Sequence, residues 1–445
     1  MAKKKKKKAQ SPSGMHDVLP KEQRYFKEVH KAFQSLARYY RFGKIDTPIV
    51  EDADLFTKGV GEGTEVVQKQ MYVLKTRGGD LLALRPEGTA PIVRSYIEHG
   101  MKTLPQPVKL WYFGPFFRYE RPQAGRYRQF WQTGLEVLGD GNPVIDAQVI
   151  QIFYEILKKL KFDNLVIEIN SIGCSQCRPY YKKLLKNHLR SYRSSLCKDC
   201  QKRFKDNPLR ILDCKQDKCK EIVSSAPQII DHLCKECHGH FKEVLEFLDE
   251  LELPYHLNPY LVRGLDYYTK TVFEVVPSDE DGLPLSKSLE EGKEEDISKS
   301  LAKNALGGGG RYDDLAKTLG SNDIPAFGVA AGVERIIELM KIRDIRPYKK
   351  KKPKVFLAQL GKKAKIESLK LMEKFRKSRV SVVTAFDKDS LKSQLKAADR
   401  WGVKYSLILG QKEVIDKEIL IRNMKTGKQT AVDIDKVVKE IKKRI

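Results

Sequence analysis

Residues 116–136, FFRYERPQAGRYRQFWQTGLE, constrain the chain more than any other stretch. Aromatic-rich flanks around Pro122-Gln123-Ala124-Gly125 predict two strands joined by a tight turn, because proline presets φ and glycine accepts a positive one. Side chains on a strand alternate between its faces. Arg126, Arg128, Phe130, Gln132, Gly134 and Glu136 therefore share one face of the return strand, and Arg118 pairs with Glu120 at period two on the outgoing one. A sheet packed only for burial puts apolar residues there. Two cations, an aromatic platform, an amide and a carboxylate instead suit a ligand with a polyanion at one end, a flat base on Phe130 and an ammonium at Glu136. A solvated hairpin laced by cross-strand ion pairs has the same pattern, so alternation alone leaves both readings open.

The stretch closely resembles motif 2 of class II histidyl-tRNA synthetases of the bacterial type, and the resemblance extends from Gly14 to the C-terminus. It implies an α+β catalytic domain on an antiparallel sheet, the class II aminoacyl-tRNA synthetase fold, followed by a three-layer α/β anticodon-binding domain. Ser13-Gly14-Met15-His16-Asp17 resembles the family's N-terminal signature. Residues 21–41 have helical spacing, and residues 45–51 (IDTPIVE) read as an edge-type strand because of Pro48. That strand resembles motif 1, the dimer-forming element. Residues 261–275 (LVRGLDYYTKTVFEV) resemble the histidine-specific signature, and residues 327–335 (FGVAAGVER) resemble motif 3.

Residues 82–90 (LALRPEGTA) end a strand and open a helix, where Glu87 and Thr89 are by chemistry alone helix caps. The resemblance implies a further role for them, holding the amino group of histidine together with Gln132 and Glu136. It implies that Arg118 and Arg126 contact ATP, with Glu120 in the same set, and that Arg335 and Phe130 sandwich adenine. Arg263 would be a second cation beside the α-phosphate and the histidine carboxylate, which makes Arg263 and Arg118 the catalytic pair. Tyr268 and Tyr312, with Tyr267 in the same pocket, would face the imidazole. Arg121 and Gln123 in the turn would meet the acceptor end of histidine tRNA. The implied reaction joins L-histidine to ATP, with Mg2+ sharing the phosphate charge, and passes the acyl group to tRNA. Relatives often have lysine where this chain has Ala124 and usually glycine where it has Asp314.

Two alternatives fit parts of the pattern. The histidine-sensing regulatory subunit of ATP phosphoribosyltransferase is built on the same catalytic fold, but typically lacks the anticodon-binding domain and has a decayed ATP site. This chain keeps Arg118, Arg126, Arg263 and Arg335 and has the C-terminal domain. A zinc-containing RNA-binding protein without chemistry leaves the polar face of the hairpin unexplained.

With 445 residues, two or three domains are expected. The reading divides the chain into a basic tail (1–12), a catalytic core (13–164), an inserted cysteine-rich module (165–251), the core continued (252–342), a basic linker (343–354) and the anticodon-binding domain (355–445). A net charge of +26, from 84 basic against 58 acidic side chains, points to a polyanionic partner or to a merely solubilising surface. No apolar run is long enough to span a membrane, and the N-terminal lysines lack the apolar core of a secretory signal, so the cytoplasm is expected. All eight cysteines lie in the module, as Cys174/Cys177, Cys197/Cys200, Cys214/Cys219 and Cys234/Cys237. Such knuckles predict structural Zn2+ at up to two four-cysteine sites, with the pairing open; buried small hydrophobes are the alternative. Residues 278–304 read as a mobile loop, and the glycines at 307–310 permit either backbone crowding against a ligand or loop flexibility. Beyond residue 355 the pattern alternates between strands and helices.

Overall fold

The computed structural model describes residues 8–123, 125–279, 281–285, 304–347 and 352–445. Most of the lysine run, Ala124, most of the 278–304 loop and part of the basic linker lie outside them. Residues 1–347 and 348–445 are two compact units.

In the first unit an eight-stranded sheet runs β1 (Gly43–Lys44), β5 (Val108–Phe117), β6 (Gln129–Leu138), β11 (Ala326–Gly332), β10 (Gly307–Arg311), β9 (Thr269–Pro277), β7 (Leu165–Ser171) and β8 (Tyr255–Leu257). The outermost pair at each end is parallel and every other pair antiparallel. A smaller antiparallel sheet orders β2 (Val50–Asp52), β4 (Leu81–Leu84) and β3 (Tyr72–Lys75).

Period two divides the large sheet into an oily and a polar face. Leu135 and Val137 of β6, Phe273 and Val275 of β9, and Phe327 and Val329 of β11 join one core with the helices Gln23–Tyr39, Pro143–Lys159, Lys235–Glu250 and Val333–Ile342. Each fully buried ring there, such as Phe33, Phe153 or Phe273, contributes about 1.5–3 kcal/mol relative to exposure. A charged cluster interrupts the oil. The Arg311 guanidinium grips the Asp146 carboxylate, and His240 Nε2 lies 2.9 Å from Asp146 Oδ2.

Several expectations need correction. Residues 45–51 are not one strand: only Val50–Asp52 pairs, because Pro48 supplies no ladder donor. Of the two readings left open for the glycines at 307–310, loop flexibility fails: they form a central strand, where Gly309 sits so close to the Gly328 backbone that no Cβ fits. The 165–251 module is not separable as drawn. Its first strand, β7, belongs to the large sheet, and Phe241, Val244 and Leu248 lie in the main core. Asp314 needs no glycine-like backbone, since it has helical φ and ψ and lies 3.8 Å from Arg178.

The second unit is a sheet ordered β13 (Val382–Thr384), β12 (Val355–Gln359), β14 (Tyr405–Leu409), β15 (Glu418–Asn423) and β16 (Gln429–Asp433). Helices Lys362–Lys377 and Val437–Arg444 cover one face and Leu391–Trp401 the other, giving three layers. β16 and the short helix Gln411–Ile415 were not anticipated. Among the described residues no helix is long and apolar enough to cross a membrane.

Candidate active site

The polar face of the large sheet floors a cleft of about 380 Å3. Register sets its floor: Gln132 lies opposite Gly114 and Gly332, and Gly134 opposite Tyr112 and Ala330. Glycine at 134 is a steric requirement, because a Cβ there would fall 2.5 Å from the Tyr112 ring; Gly88 approaches the same ring from the other side.

Most of the site residues read from sequence converge here. Glu87, Thr89, Arg118, Glu120, Arg126, Phe130, Gln132, Arg263, Tyr267, Tyr268, Tyr312 and Arg335 all line the cleft. Glu87 does cap its helix, accepting from the amides of Thr89 at 2.7 Å and Ala90 at 2.8 Å, yet it also accepts from the Tyr267 hydroxyl at 3.2 Å. Burial pushes its pKa up, against the pull of those amides and of Arg118.

Glu136 differs from expectation. It lies one layer beneath the cleft wall, almost fully buried, where it accepts from Thr89 Oγ1 at 2.9 Å and Tyr312 Oη at 2.5 Å. Burial raises its pKa to about 8; those two hydrogen bonds oppose the rise and nearby Glu87 adds to it. Glu136 thus ties the residue beside Glu87 to one of the ring-facing tyrosines instead of meeting the cleft itself. Arg128 also leaves the shared face: regular pairing begins only at Gln129, and its guanidinium stacks on Tyr119 at 4.0 Å and reaches the Ser13 carbonyl.

At the other end three guanidiniums crowd together. Arg118 donates to the Pro86 carbonyl at 2.9 Å and lies over the Phe130 ring at 5.4 Å. Phe130 and Arg335, expected to sandwich adenine, both line the cleft, and Arg335 donates to the Ala305 carbonyl at 3.4 Å. Burial, then the repulsion of Arg126 and Arg118, lowers the Arg335 pKa to about 10, with Glu274 opposing. Arg126 lies 4.0 Å from Glu120. Arg263 pairs with Glu274 on the neighbouring strand.

Among the described residues, three buried polar atoms of the cleft have no protein partner: Tyr112 Oη, Gln132 Oε1 and Arg263 Nε. Each such orphan costs about 1–3 kcal/mol, which a polar ligand recovers on binding. Crowded cations beside orphaned polar groups describe a site for a small molecule carrying both anionic and polar recognition points.

Sequence reasoning missed Tyr112, Glu274 and Arg210, all of which line the cleft. Tyr112 was within reach of the period-two rule, six residues before Arg118 on the same face. Glu274 lies inside the 261–275 signature, whereas Arg210 arrives from the cysteine-rich segment and leaves no local trace. Arg121 and Gln123 stand exposed at the turn tip, outside the cleft, with Gln123 closing the turn through its backbone pairing to Arg126. The eight cysteines gather into two quartets, none of which lines the cleft.

An antiparallel sheet with this cleft, preceding a separate α/β unit, is the fold of class II aminoacyl-tRNA synthetases. The family model for histidyl-tRNA synthetase matches residues 14–288, and that for the anticodon binding domain matches residues 354–444. A protein of Dehalococcoides mccartyi named Histidine–tRNA ligase is 42% identical over 98% of this chain and 100% of its own length. One of the same name from Thermodesulfovibrio yellowstonii is 41% identical over 97% of each chain. The crystal structure of apo S. aureus histidyl-tRNA synthetase superposes with a TM-score of 0.76 at 32% identity, covering 97% of this chain and 99% of that one. The chain belongs to the histidyl-tRNA synthetase family.

Proposed function

We infer that the chain is a histidine–tRNA ligase, joining L-histidine to histidine tRNA through a histidyl-adenylate at the expense of ATP. The observation that carries the mechanism is the crowding of Arg118, Arg126 and Arg335 at one end of a cleft whose other end holds the buried Glu87 carboxylate and tyrosines. The cation end suits a triphosphate; the carboxylate end suits an ammonium and a polar ring. Arg263 stands between them, where its unpaired Nε–H meets the α-phosphate as the histidine carboxylate attacks it. Glu87, Thr89 and Gln132 hold the amino acid, Tyr267, Tyr268 and Tyr312 surround its ring, and Glu136 fixes Thr89 and Tyr312 from below. Phe130, with Arg118 above it and Arg335 nearby, forms the adenine end, and Glu120 orients Arg126. Polar recognition of the ring rejects apolar analogues, which would leave buried groups unpaired.

Mg2+ fits as an ion carried by the triphosphate. No trio of carboxylates gathers among the described residues, but Glu120 and Glu274 line the cleft as hard oxygen donors. When bound, it neutralises phosphate charge. The cysteine quartets are structural Zn2+ sites, apart from the reacting atoms. The regulatory-subunit alternative is disfavoured by the retained arginines and the C-terminal unit. Pyrophosphate exchange that depends on histidine, followed by charging of histidine tRNA, tests the assignment; exchange in the absence of histidine, or none at all, overturns it.

The raised pKa of Glu136 has a measurable consequence. In the unliganded protein it keeps its proton at pH 7, and the incoming ammonium favours the ionised form. Histidine binding at about pH 7.5, above the titration of free imidazole, is therefore expected to release a fraction of one proton, read by calorimetry in two buffers of different ionisation enthalpy. Glu136→Gln should abolish the release; an unchanged proton count would show that another group titrates. The sign for stability follows. The contribution of protonated Glu136 is full below the ordinary carboxylate range and is lost as pH rises through about 8.

The turn tip lies outside the cleft, so Arg121→Ala and Gln123→Ala should impair tRNA charging by about 1–3 kcal/mol each while leaving pyrophosphate exchange nearly intact. Equal losses in both reactions would place the turn in adenylate formation. The protein acts in the cytoplasm as a homodimer. Ile49, Val50, Val73, Leu74 and Leu81, on or beside the small sheet, are 40–53% exposed, an apolar surface suited to a second copy. Light scattering should give twice the mass of one chain, and Val50→Asp should halve it; an active monomer contradicts this.

A further inference from the structure

Resting on that reading of the cysteines, we propose that they form two nested tetrathiolate zinc sites, Cys174/Cys177/Cys234/Cys237 and Cys197/Cys200/Cys214/Cys219, which clamp opposite ends of the segment running from Arg263 to Lys270. In each quartet the four sulfurs lie within 4.8 Å of one another. Sγ–Sγ separations are 3.7 Å for Cys174–Cys177, 3.9 Å for Cys174–Cys234 and 3.9 Å for Cys197–Cys214. A tetrahedron with Zn–S bonds of about 2.3 Å has edges of about 3.8 Å, whereas a disulfide needs about 2.05 Å. Backbone amides point at the sulfurs, Cys234 N to Cys177 Sγ at 3.0 Å and Cys197 N to Cys219 Sγ at 3.3 Å, which suits thiolates.

The clamp follows from what each knuckle carries. Between Cys200 and Cys214, Arg210 donates to the Arg263 carbonyl at 2.9 Å and Asn207 to Asp266 Oδ1 at 2.9 Å. Arg203, from the helix that carries Cys200, holds Glu65 on another wall of the cleft at 2.7 Å. At the first quartet, Arg178, next to Cys177, donates to the Tyr268 carbonyl at 3.1 Å, and the Lys270 amide donates to the Gly173 carbonyl at 2.9 Å. Residues 261–268 form no regular ladder, so these side chains set the positions of Arg263 and Tyr268. The zinc ions thus position catalytic and ring-facing residues without touching substrate.

The test uses the full chain. Metal analysis of protein purified without chelator should give two zinc ions per chain, and X-ray absorption a shell of four sulfurs. Cys214→Ser should retain one ion, with faster amide hydrogen exchange in peptides covering 261–268. Arg210→Ala, which keeps both quartets, should retain two ions, accelerate exchange in the same peptides and lower the kcat of pyrophosphate exchange about tenfold. Eight titratable thiols without zinc in a folded protein, or iron in its place, overturn the sites. Two zinc ions with unaltered protection at 261–268 in both variants overturn the clamp. Metal content and exchange protection are both read whether or not the wild type activates histidine, so a failure of the ligase assignment is recognised separately.

Discussion

Arg263→Ala is expected to slow histidine-dependent pyrophosphate exchange by about 10²–10³-fold, mostly in kcat, the loss that follows removal of one preorganised charge-stabilising donor. Arg263 enters the cleft from the irregular segment before β9 and pairs with Glu274. Among the described residues its Nε–H is buried without a partner, so it is already desolvated before charge develops on a bound phosphate. Truncation also leaves Glu274 facing the phosphates uncompensated, which repels the transition state more than the ground state. Arg263→Lys should recover only part of the rate, since an ammonium cannot both hold Glu274 and present a second N–H in the guanidinium plane. Glu274→Gln separates the two effects: if the loss in Arg263→Ala comes mainly from the stranded carboxylate, the double variant recovers most of it. A change confined to the histidine KM, with kcat intact, would remove Arg263 from the chemistry and leave it a binding residue.

The hairpin was the most legible part of the site because a strand reports its faces at period two. From Gln129 to Glu136 that rule puts Phe130 and Gln132 in the cleft. It misleads where the strand stops, at Arg128, and it cannot tell depth: Glu136 has the correct parity but sits beneath the wall, behind Thr89 and Tyr312. The glycines at 307–310 illustrate the opposite failure. Glycine composition suggests looseness, but here it permits β10 to lie between β9 and β11 against the Gly328 backbone. Knuckle spacing located the cysteines, whereas their pairing depended on a chain that leaves one quartet, completes the second and returns to the first. No local pattern encodes that order. The same holds for Arg210, which reaches the Arg263 carbonyl across 53 positions of sequence.

The polar triad in the oily core was equally invisible, since Asp146, His240 and Arg311 lie on two helices and a strand far apart in the chain. Asp146→Ala is expected to destabilise the catalytic unit by about 3–5 kcal/mol, the cost of removing one partner of a buried ion pair. Arg311 and Asp146 are fully buried, and truncation leaves the guanidinium with Asp313 and two backbone carbonyls, those of Asp140 and Asn142. Burial raises the Asp146 pKa, but Arg311 and His240 outweigh it and hold the carboxyl below its ordinary value. Its contribution is therefore complete above the unfolded value of about 3.9 and is lost as pH falls through the lower folded one. Urea unfolding of wild type and variant should thus differ most near neutrality and converge in acid. An apolar replacement of the whole pair, Asp146→Leu with Arg311→Met, should be far less damaging than Asp146→Ala alone, because no charge is stranded. Arg311 precedes Tyr312, whose hydroxyl holds Glu136, so loosening the strand end should also raise the histidine KM in Asp146→Ala. A loss below about 1 kcal/mol would mean that water reaches Arg311 once the carboxylate is gone, and that the triad is a tolerated polar inclusion, not a fixed point for the cleft.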